Sequence, residues 1–250
     1  MQIIWGRNPV YEALRAGRGV SRILLAEGVK PAGVLAEIID VARSRGIAVE
    51  RVERYRLDSV ARTPKHQGIV AEVAEFHYVS LPDILSKANE RGEYPLILIL
   101  DSLQDPQNFG SLLRTAEAVG AHGVVIPKRR AVGVTPAVVK ASAGAVEHLL
   151  VAQVTNVPRA IDEVKEAGIW VAGIDVDGRQ AFDEVDWNVP VALVVGAEGK
   201  GIGRLVKEKC DFVVRIPMRG HVSSLNAAVA GSIVLYYAWR SRSNTRGSAR

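Results

Sequence analysis

The stretch Leu96-Ile-Leu-Ile-Leu-Asp-Ser-Leu-Gln-Asp-Pro-Gln-Asn-Phe-Gly-Ser-Leu-Leu-Arg-Thr-Ala-Glu-Ala-Val-Gly120 opens with five apolar residues, breaks at Asp101-Ser, and resumes as a helix-period run. A strand apolar on both faces belongs inside a sheet covered on two sides, the arrangement of parallel sheets joined through helices. The unit recurs: apolar strands are predicted at Leu96–Leu100, Gly123–Pro127, Leu149–Val154, Ile169–Asp175, Val191–Gly196 and Phe212–Met218. The expected fold class is therefore α/β with a mainly parallel sheet. Ligand sites in such sheets lie beyond the carboxyl ends of the strands.

Upstream, a compact α/β unit of about 75 residues is expected, a size within the range that folds alone. Asn8 can cap a short helix with Pro9 at its first position. Strands follow at Arg22–Ala26, Ile47–Val52 and Gly68–Ala74, with helices from Pro31 to about Ser44 and near Arg56–Ala61. The boundary falls near residue 78. Ser80-Leu-Pro-Asp reads as the capped start of a helix leading into the second domain. The organisation is thus 1–78 leading domain, 79–94 linker, 95–240 main domain and 241–250 disordered basic tail.

The 250 residues carry a formal charge of +5, with 48% hydrophobic and 24% charged residues, as in a folded soluble protein. Positive charge concentrates in residues 1–78, net +3, and 240–250, net +4, whereas 79–239 is net −2. An acidic partner would therefore meet the leading domain and tail first. The start lacks signal-peptide blocks, and no apolar run approaches the ~20 residues of a membrane span. The single cysteine, Cys210, fits a reducing compartment, and a cytosolic protein is expected. The five histidines show no metal spacing, so no metal is expected.

Three loops could carry chemistry. In the first, Asn108 stands near a helix N-terminus, and at 100° per residue Arg114 points away from the stripe Leu112, Leu113, Ala116 and Val119. If Arg114 works, it must meet RNA, a ligand or a second subunit, because its own sheet lies behind it. The second, Gly196-Ala-Glu-Gly-Lys-Gly-Ile-Gly203, is neither a dinucleotide nor a Walker fingerprint, but its glycines let a ligand approach the backbone and Glu198 adds a carboxylate. In the third, the strand breaks at Pro217, and Ser223, Ser224 and Asn226 cluster before a helix rich in small residues, Ala227, Ala228, Ala230, Gly231 and Ser232. Such a helix permits tight packing within the chain or between subunits.

Together these loops resemble the three motifs of the SpoU/TrmH family of RNA ribose 2′-O-methyltransferases, in the SPOUT superfamily. Asp105-Pro-Gln-Asn-Phe-Gly110 with Arg114 is similar to the first, Gly196-Ala-Glu-Gly199 with Gly201 to the second, and Ile216-Pro-Met218 with Ser224-Leu-Asn226 to the third. Lys140-Ala-Ser-Ala-Gly-Ala145 resembles an intervening segment. Gly6-Arg-Asn-Pro-Val-Tyr-Glu-Ala-Leu14 and His66-Gln-Gly-Ile69 resemble the RNA-binding domain of bacterial members that methylate guanosine in large-subunit ribosomal RNA, a domain similar to ribosomal-protein folds.

The resemblance implies a deep trefoil knot and an S-adenosylmethionine pocket lined by Gly196, Ala197, Gly201, Ile216, Pro217, Met218, Ser224 and Leu225. It implies catalytic roles for Asn108, Arg114, Glu198, Ser224 and Asn226, with Arg114 a fixed cation that stabilises the attacking oxygen. Ribosomal RNA is the implied partner and a homodimer the implied assembly, packed partly through the small-residue helix. A transfer-RNA or resistance methyltransferase, or a non-catalytic RNA-binding assembly protein, stays open. A nicotinamide enzyme lacks its fingerprint glycines.

Overall fold

A computed structural model describes residues 1–247, with side chains to 242. The chain divides into two compact units, each described separately. The first is built from Met1–His77 together with Val134–His148, and the second from Tyr78–Gly133 and Leu149–Arg250.

The first unit contains β1 (Gln2–Trp5), α1 (Arg7–Arg15), β2 (Val20–Ala26), α2 (Val34–Ser44), β3 (Ala48–Val52), α3 (Arg54–Ala61) and β4 (Ile69–Val73). Its sheet runs in the order β1-β4-β2-β3, with only the β2–β3 pair parallel. Side chains alternate across a strand, so Leu24 and Ala26 join Leu57, Ala61 and Val70 in one core, while Ile23 and Leu25, equally buried, face the other way. The α1 cap differs from expectation: Gly6 occupies the N-cap at φ 98°, and Asn8 and Pro9 lie inside the first turn. The short strand β1 was not expected; it pairs with β4.

The second unit begins with α4 (Leu81–Arg91), β5 (Leu96–Leu100), α5 (Pro106–Ala118) and β6 (Gly123–Pro127). The chain then contributes α6 (Pro136–Ala141) and a 3-10 turn at Ala145–His148 to the first unit. It resumes with β7 (Val151–Val154), α7 (Val157–Glu166), β8 (Trp170–Ile174), β9 (Gln180–Ala181), β10 (Val191–Val195), α8 (Arg204–Lys209), β11 (Phe212–Arg215) and α9 (Ala227–Gly247). Every strand pair in the order β7-β6-β5-β10-β8-β11-β9 is parallel. One face packs Ile97, Ile99, Val171 and Val194 against Ile84 of α4, Ile161 and Val164 of α7 and Val206 of α8. α5 and α9 lie on each other, where Gly231 leaves room for Leu112 and Val195, and Thr115 Oγ1 meets Ser232 Oγ at 2.9 Å.

Two boundaries are corrected. Residues 79–94, expected as a linker, belong to the second unit: the expected helix start is there, with Ser80 and Asp83 in a reciprocal capping box, and Leu81, Ile84 and Ala88 are buried. Positions 241–247, expected in a tail, lie inside α9, where Arg242 donates to the carbonyls of Trp187, Tyr94, Pro95 and Val189. The rest of the expected tail, 248–250, lies outside the described residues. Among the described residues, no helix is long and apolar enough to cross a membrane and no group of His, Cys, Asp or Glu could hold a metal ion.

Candidate active site

The loops converge because four neighbouring parallel strands, β5, β10, β8 and β11, end together. After β5, Asp101 donates its N–H to Val195 O, and its carboxylate accepts from Gly203 N at 2.8 Å and from the Ser102 hydroxyl at 3.0 Å. Ser102 itself sits at φ 62°, a left-handed conformation unusual for a side-chain-bearing residue. Asp105 then caps α5 by accepting from Asn108 N at 2.9 Å, with Pro106 at the first helical position. That cap fixes where the Asn108 side chain leaves the helix.

After β10 the chain folds sharply back. Ala197 and Gly201 exchange both backbone hydrogen bonds, at 3.0 and 2.9 Å, and a Cβ at Gly196 would overlap the Gly201 carbonyl group. Gly199 and Gly201 take φ of 71° and 62°. The glycines are thus required first by the turn itself, and the turn holds Glu198 out to solvent. Beyond β11, Ile216–Leu225 has no regular structure and makes no backbone–backbone hydrogen bond among the described residues. β11 ends at Arg215, so Ile216, Pro217 and Met218 belong to this loop rather than to a strand.

Asn226 closes the arrangement. Its Oδ1 caps α9, accepting from Ala228 N at 2.9 Å and Val229 N at 3.2 Å. Its Nδ2 donates to Asn108 Oδ1 at 3.1 Å and to Glu198 Oε1. One amide therefore ties together the helix start after β5, the turn after β10 and the helix after β11. Capping uses Asn226 alone: Ser223 and Ser224 are exposed and make no hydrogen bond among the described residues. Arg114 is not part of this cluster. It stands exposed on α5 with no hydrogen bond or ion pair among the described residues.

A fourth wall went unread in the sequence. The loop after β8 places the Asp175 carboxylate beside Gly201 and 3.2 Å from Lys207 Nζ. Burial pulls the Lys207 ammonium down, but the carboxylates of Asp175 and Asp177 outweigh it and leave its pKa raised. Gly178 lies so close to the Val214–Arg215 backbone that a Cβ would collide with it, and Arg215 reaches back to the Gly178 and Arg179 carbonyls. Asp101 and Asp175 buttress the site's loops. Their place directly after apolar strands was the available clue.

Comparison with known proteins agrees with this geometry. Residues 95–236 match the SpoU rRNA methylase family, and residues 3–79 match the RNA 2′-O ribose methyltransferase substrate-binding family. The chain is 51% identical over 237 residues to a putative TrmH family tRNA/rRNA methyltransferase of Bacillus subtilis, covering 95% of this chain and 94% of that one. The SpoU methyltransferase AviRb of Streptomyces viridochromogenes, solved with AdoMet, superposes with a TM-score of 0.80 at 28% identity, over 97% of this chain and 90% of that one. An AdoMet-bound rRNA methyltransferase from Sinorhizobium meliloti gives 0.79 at 26% identity, over 96% and 87%. With both family matches in order along one chain and the three loops joined at Asn226, the protein belongs to the SpoU/TrmH family of RNA methyltransferases.

Proposed function

We propose that the chain uses S-adenosylmethionine to methylate the ribose 2′-hydroxyl of a guanosine in large-subunit (23S) ribosomal RNA. The observation that carries this reading is the Asn226 amide, which joins Asn108 and Glu198 across three loops that share no sequence proximity. The residues present fit the cofactor. Among the described residues the peptide groups of 216–225 make no backbone–backbone hydrogen bond and would be available to the cofactor's polar groups, and the exposed Met218 would offer it an apolar contact. Gly196, Ala197 and Gly201 would form one side of the pocket, with Ile216, Pro217, Ser224 and Leu225 opposite. When bound, the cofactor supplies an electrophilic methyl group on a positively charged sulfur.

The chain's own residues supply orientation and charge. Asn108, Glu198 and Asn226 keep the loops in register, and Ser224, which makes no hydrogen bond among the described residues, is available to the ribose or the cofactor. Arg114 acts as a fixed cation that steadies the attacking oxygen as its proton passes to solvent water. Its exposure suits contact with RNA or a second subunit. A homodimer is favoured by the exposed Val229, Ile233 and Tyr236 along α9, since Gly231 and Ser232 of that helix are already used within the chain. The site would act in the cytoplasm, where ribosomal RNA is found.

The test is transfer of labelled methyl from S-adenosylmethionine to 23S ribosomal RNA and to transfer RNA, followed by mapping of the modified nucleotide. Label on one guanosine ribose of 23S RNA is expected. Label confined to transfer RNA would overturn the substrate, and cofactor binding without transfer to either would overturn the activity.

A further inference from the structure

Three motifs outside the active site, Gly6-Arg-Asn-Pro, His66-Gln-Gly and Lys140-Ala-Ser-Ala-Gly, come together in the first unit, although as many as 73 positions separate hydrogen-bonded residues among them. His66 is fully buried. Its Nδ1 accepts from Gly68 N at 3.0 Å, which leaves the proton on Nε2, 2.9 Å from Asp58 Oδ1. This anchors a turn in which Gln67 is held at φ 58° and Gly68 at φ 81°. Gln67 is thereby fixed to present Oε1, which accepts from Arg7 N at 3.1 Å and from Lys140 Nζ at 2.9 Å. A Cβ at Gly6 would collide with Lys140 Nζ, so the absent side chain is what lets the ammonium rest there.

The charge balance of this cluster is incomplete. Lys140 is half-buried, and burial pushes its ammonium pKa down, with no carboxylate among the described residues acting on it. Among the described residues its one hydrogen-bond partner is a neutral amide oxygen. The first turn of α1 beside it carries no acidic residue, and a helix N-terminus is itself positive. Glu12, on the same helix, is engaged by His148 at 2.8 Å and by Arg15. Arg7 and Lys65, which flank the cluster in sequence, are exposed and form no ion pair among the described residues. A partly desolvated cation without a counter-ion is costly unless an anion arrives from outside.

We infer that this cluster is a binding site for a phosphodiester of the substrate RNA, with Lys140 as its central cation and Gln67 as the residue that positions it. The inference rests on the proposed RNA methylation. It assigns a defined contact to a segment, 134–148, that lies outside the chain's first 78 residues but folds with them. The RNA would approach over the exposed Gln67 and displace no internal ion pair.

The test uses the full chain, a fluorescein-labelled transcript of a 23S ribosomal RNA fragment, and anisotropy measured across a range of KCl concentrations. Lys140→Gln removes the charge. Gln67→Glu keeps the acceptor and nearly the shape but gives the ammonium an internal counter-ion. Both are expected to weaken RNA binding about tenfold, the size of one charge-assisted contact, and to flatten the dependence of log affinity on log salt by about 0.7–0.9. Lys140→Arg should stay within about threefold of wild type, and S-adenosylmethionine affinity by calorimetry should not change in any variant. If Lys140→Gln unfolds, Gln67→Glu carries the test, because a purely structural lysine–glutamine contact would be preserved or strengthened by it.

Wild-type affinity and salt slope in Gln67→Glu would overturn the site while leaving the methylation reading intact. Calorimetric binding of inorganic phosphate to wild type but not to Gln67→Glu, with RNA affinity and salt slope the same in both proteins, would reassign the site to a free anion and overturn it as an RNA contact. A wild-type protein that binds cofactor but no RNA would overturn both readings.

Discussion

Asn226→Asp separates the two jobs that Asn226 performs. The carboxylate still accepts from Ala228 N and Val229 N, so α9 keeps its cap, improved by the helix dipole by about 0.3–1 kcal/mol. The donor to Asn108 Oδ1 and Glu198 Oε1 is lost. Two hydrogen bonds at about 0.5–1.5 kcal/mol each disappear, and a carboxylate now faces Glu198. That repulsion is about 1 kcal/mol in a water-like dielectric, the relevant limit for two exposed groups. The net loss is about 2 kcal/mol, or a melting midpoint lower by about 4–8 °C in a domain of this size.

Scanning calorimetry measures the midpoint and titration calorimetry the S-adenosylmethionine affinity, which should fall about tenfold or more as the two loops lose register. Adding Glu198→Gln to Asn226→Asp reverses donor and acceptor across the same gap. The double variant should recover at least half of both losses, whereas Glu198→Gln alone should not be additive with Asn226→Asp. Wild-type affinity in Asn226→Asp, or a double variant no better than the single one, would refute the view that this amide holds the pocket together.

The remaining expectations each probe a different part of the site. Arg114→Ala should abolish labelled-methyl transfer by about 100-fold or more while leaving cofactor affinity within about twofold, because a cation that acts on the reacting oxygen contributes only in the transition state. Gly196→Ala forces a Cβ into the Gly201 carbonyl group and should cost about 1–3 kcal/mol of stability together with most cofactor binding, read by the same two calorimetric measurements. His122 is buried, its Nδ1 accepts from Leu96 N at 3.0 Å, and burial, then Arg91, lowers its pKa against the opposing pull of Glu93. A histidine whose folded pKa lies below its unfolded value of about 6.5 binds fewer protons folded than unfolded. Stability should therefore be complete above about pH 6.5 and fall as pH drops toward the folded value, and His122→Gln should flatten denaturant midpoints over that range.

The parts of the fold that were legible in the sequence are those with a strong local cause. Leu96–Leu100 and Gly123–Pro127 are strands over the predicted residues because an unbroken apolar run bounded by polar loops has one reading in a parallel sheet. Ser80-Leu-Pro-Asp83 gave the helix start because a capping box is complete within four residues. The strand Gln2–Trp5 was missed because four residues carry too little pattern, and its stability comes from pairing with Ile69–Val73, far along the chain. Asn108, Glu198 and Asn226 could be singled out as polar residues at strand ends. Their mutual hydrogen bonds could not be read, because they depend on β10 lying between β5 and β8, an order no local pattern dictates.

The same limit explains why a linear domain boundary misdescribes the first unit. Val134–His148 follows the sixth strand and reads as an ordinary connection between β6 and β7. In the fold it supplies one partner of a buried ion pair, Arg18 with Glu147 at 2.7 Å, both side chains almost fully enclosed. Such a pair is weak evidence of net stability, yet removing one partner leaves an uncompensated buried charge, a loss of about 3–5 kcal/mol. Burial already pushes the Glu147 carboxyl upward against the pull of Arg18, so without the arginine it would hold its proton still more readily. Excising the first 78 residues therefore strips the partner from Glu147 and the Gln67 acceptor from Lys140. The basic leading unit is thus defined by packing across two chain segments, and any division of labour between RNA binding and methyl transfer must follow that packing rather than a cut at residue 78.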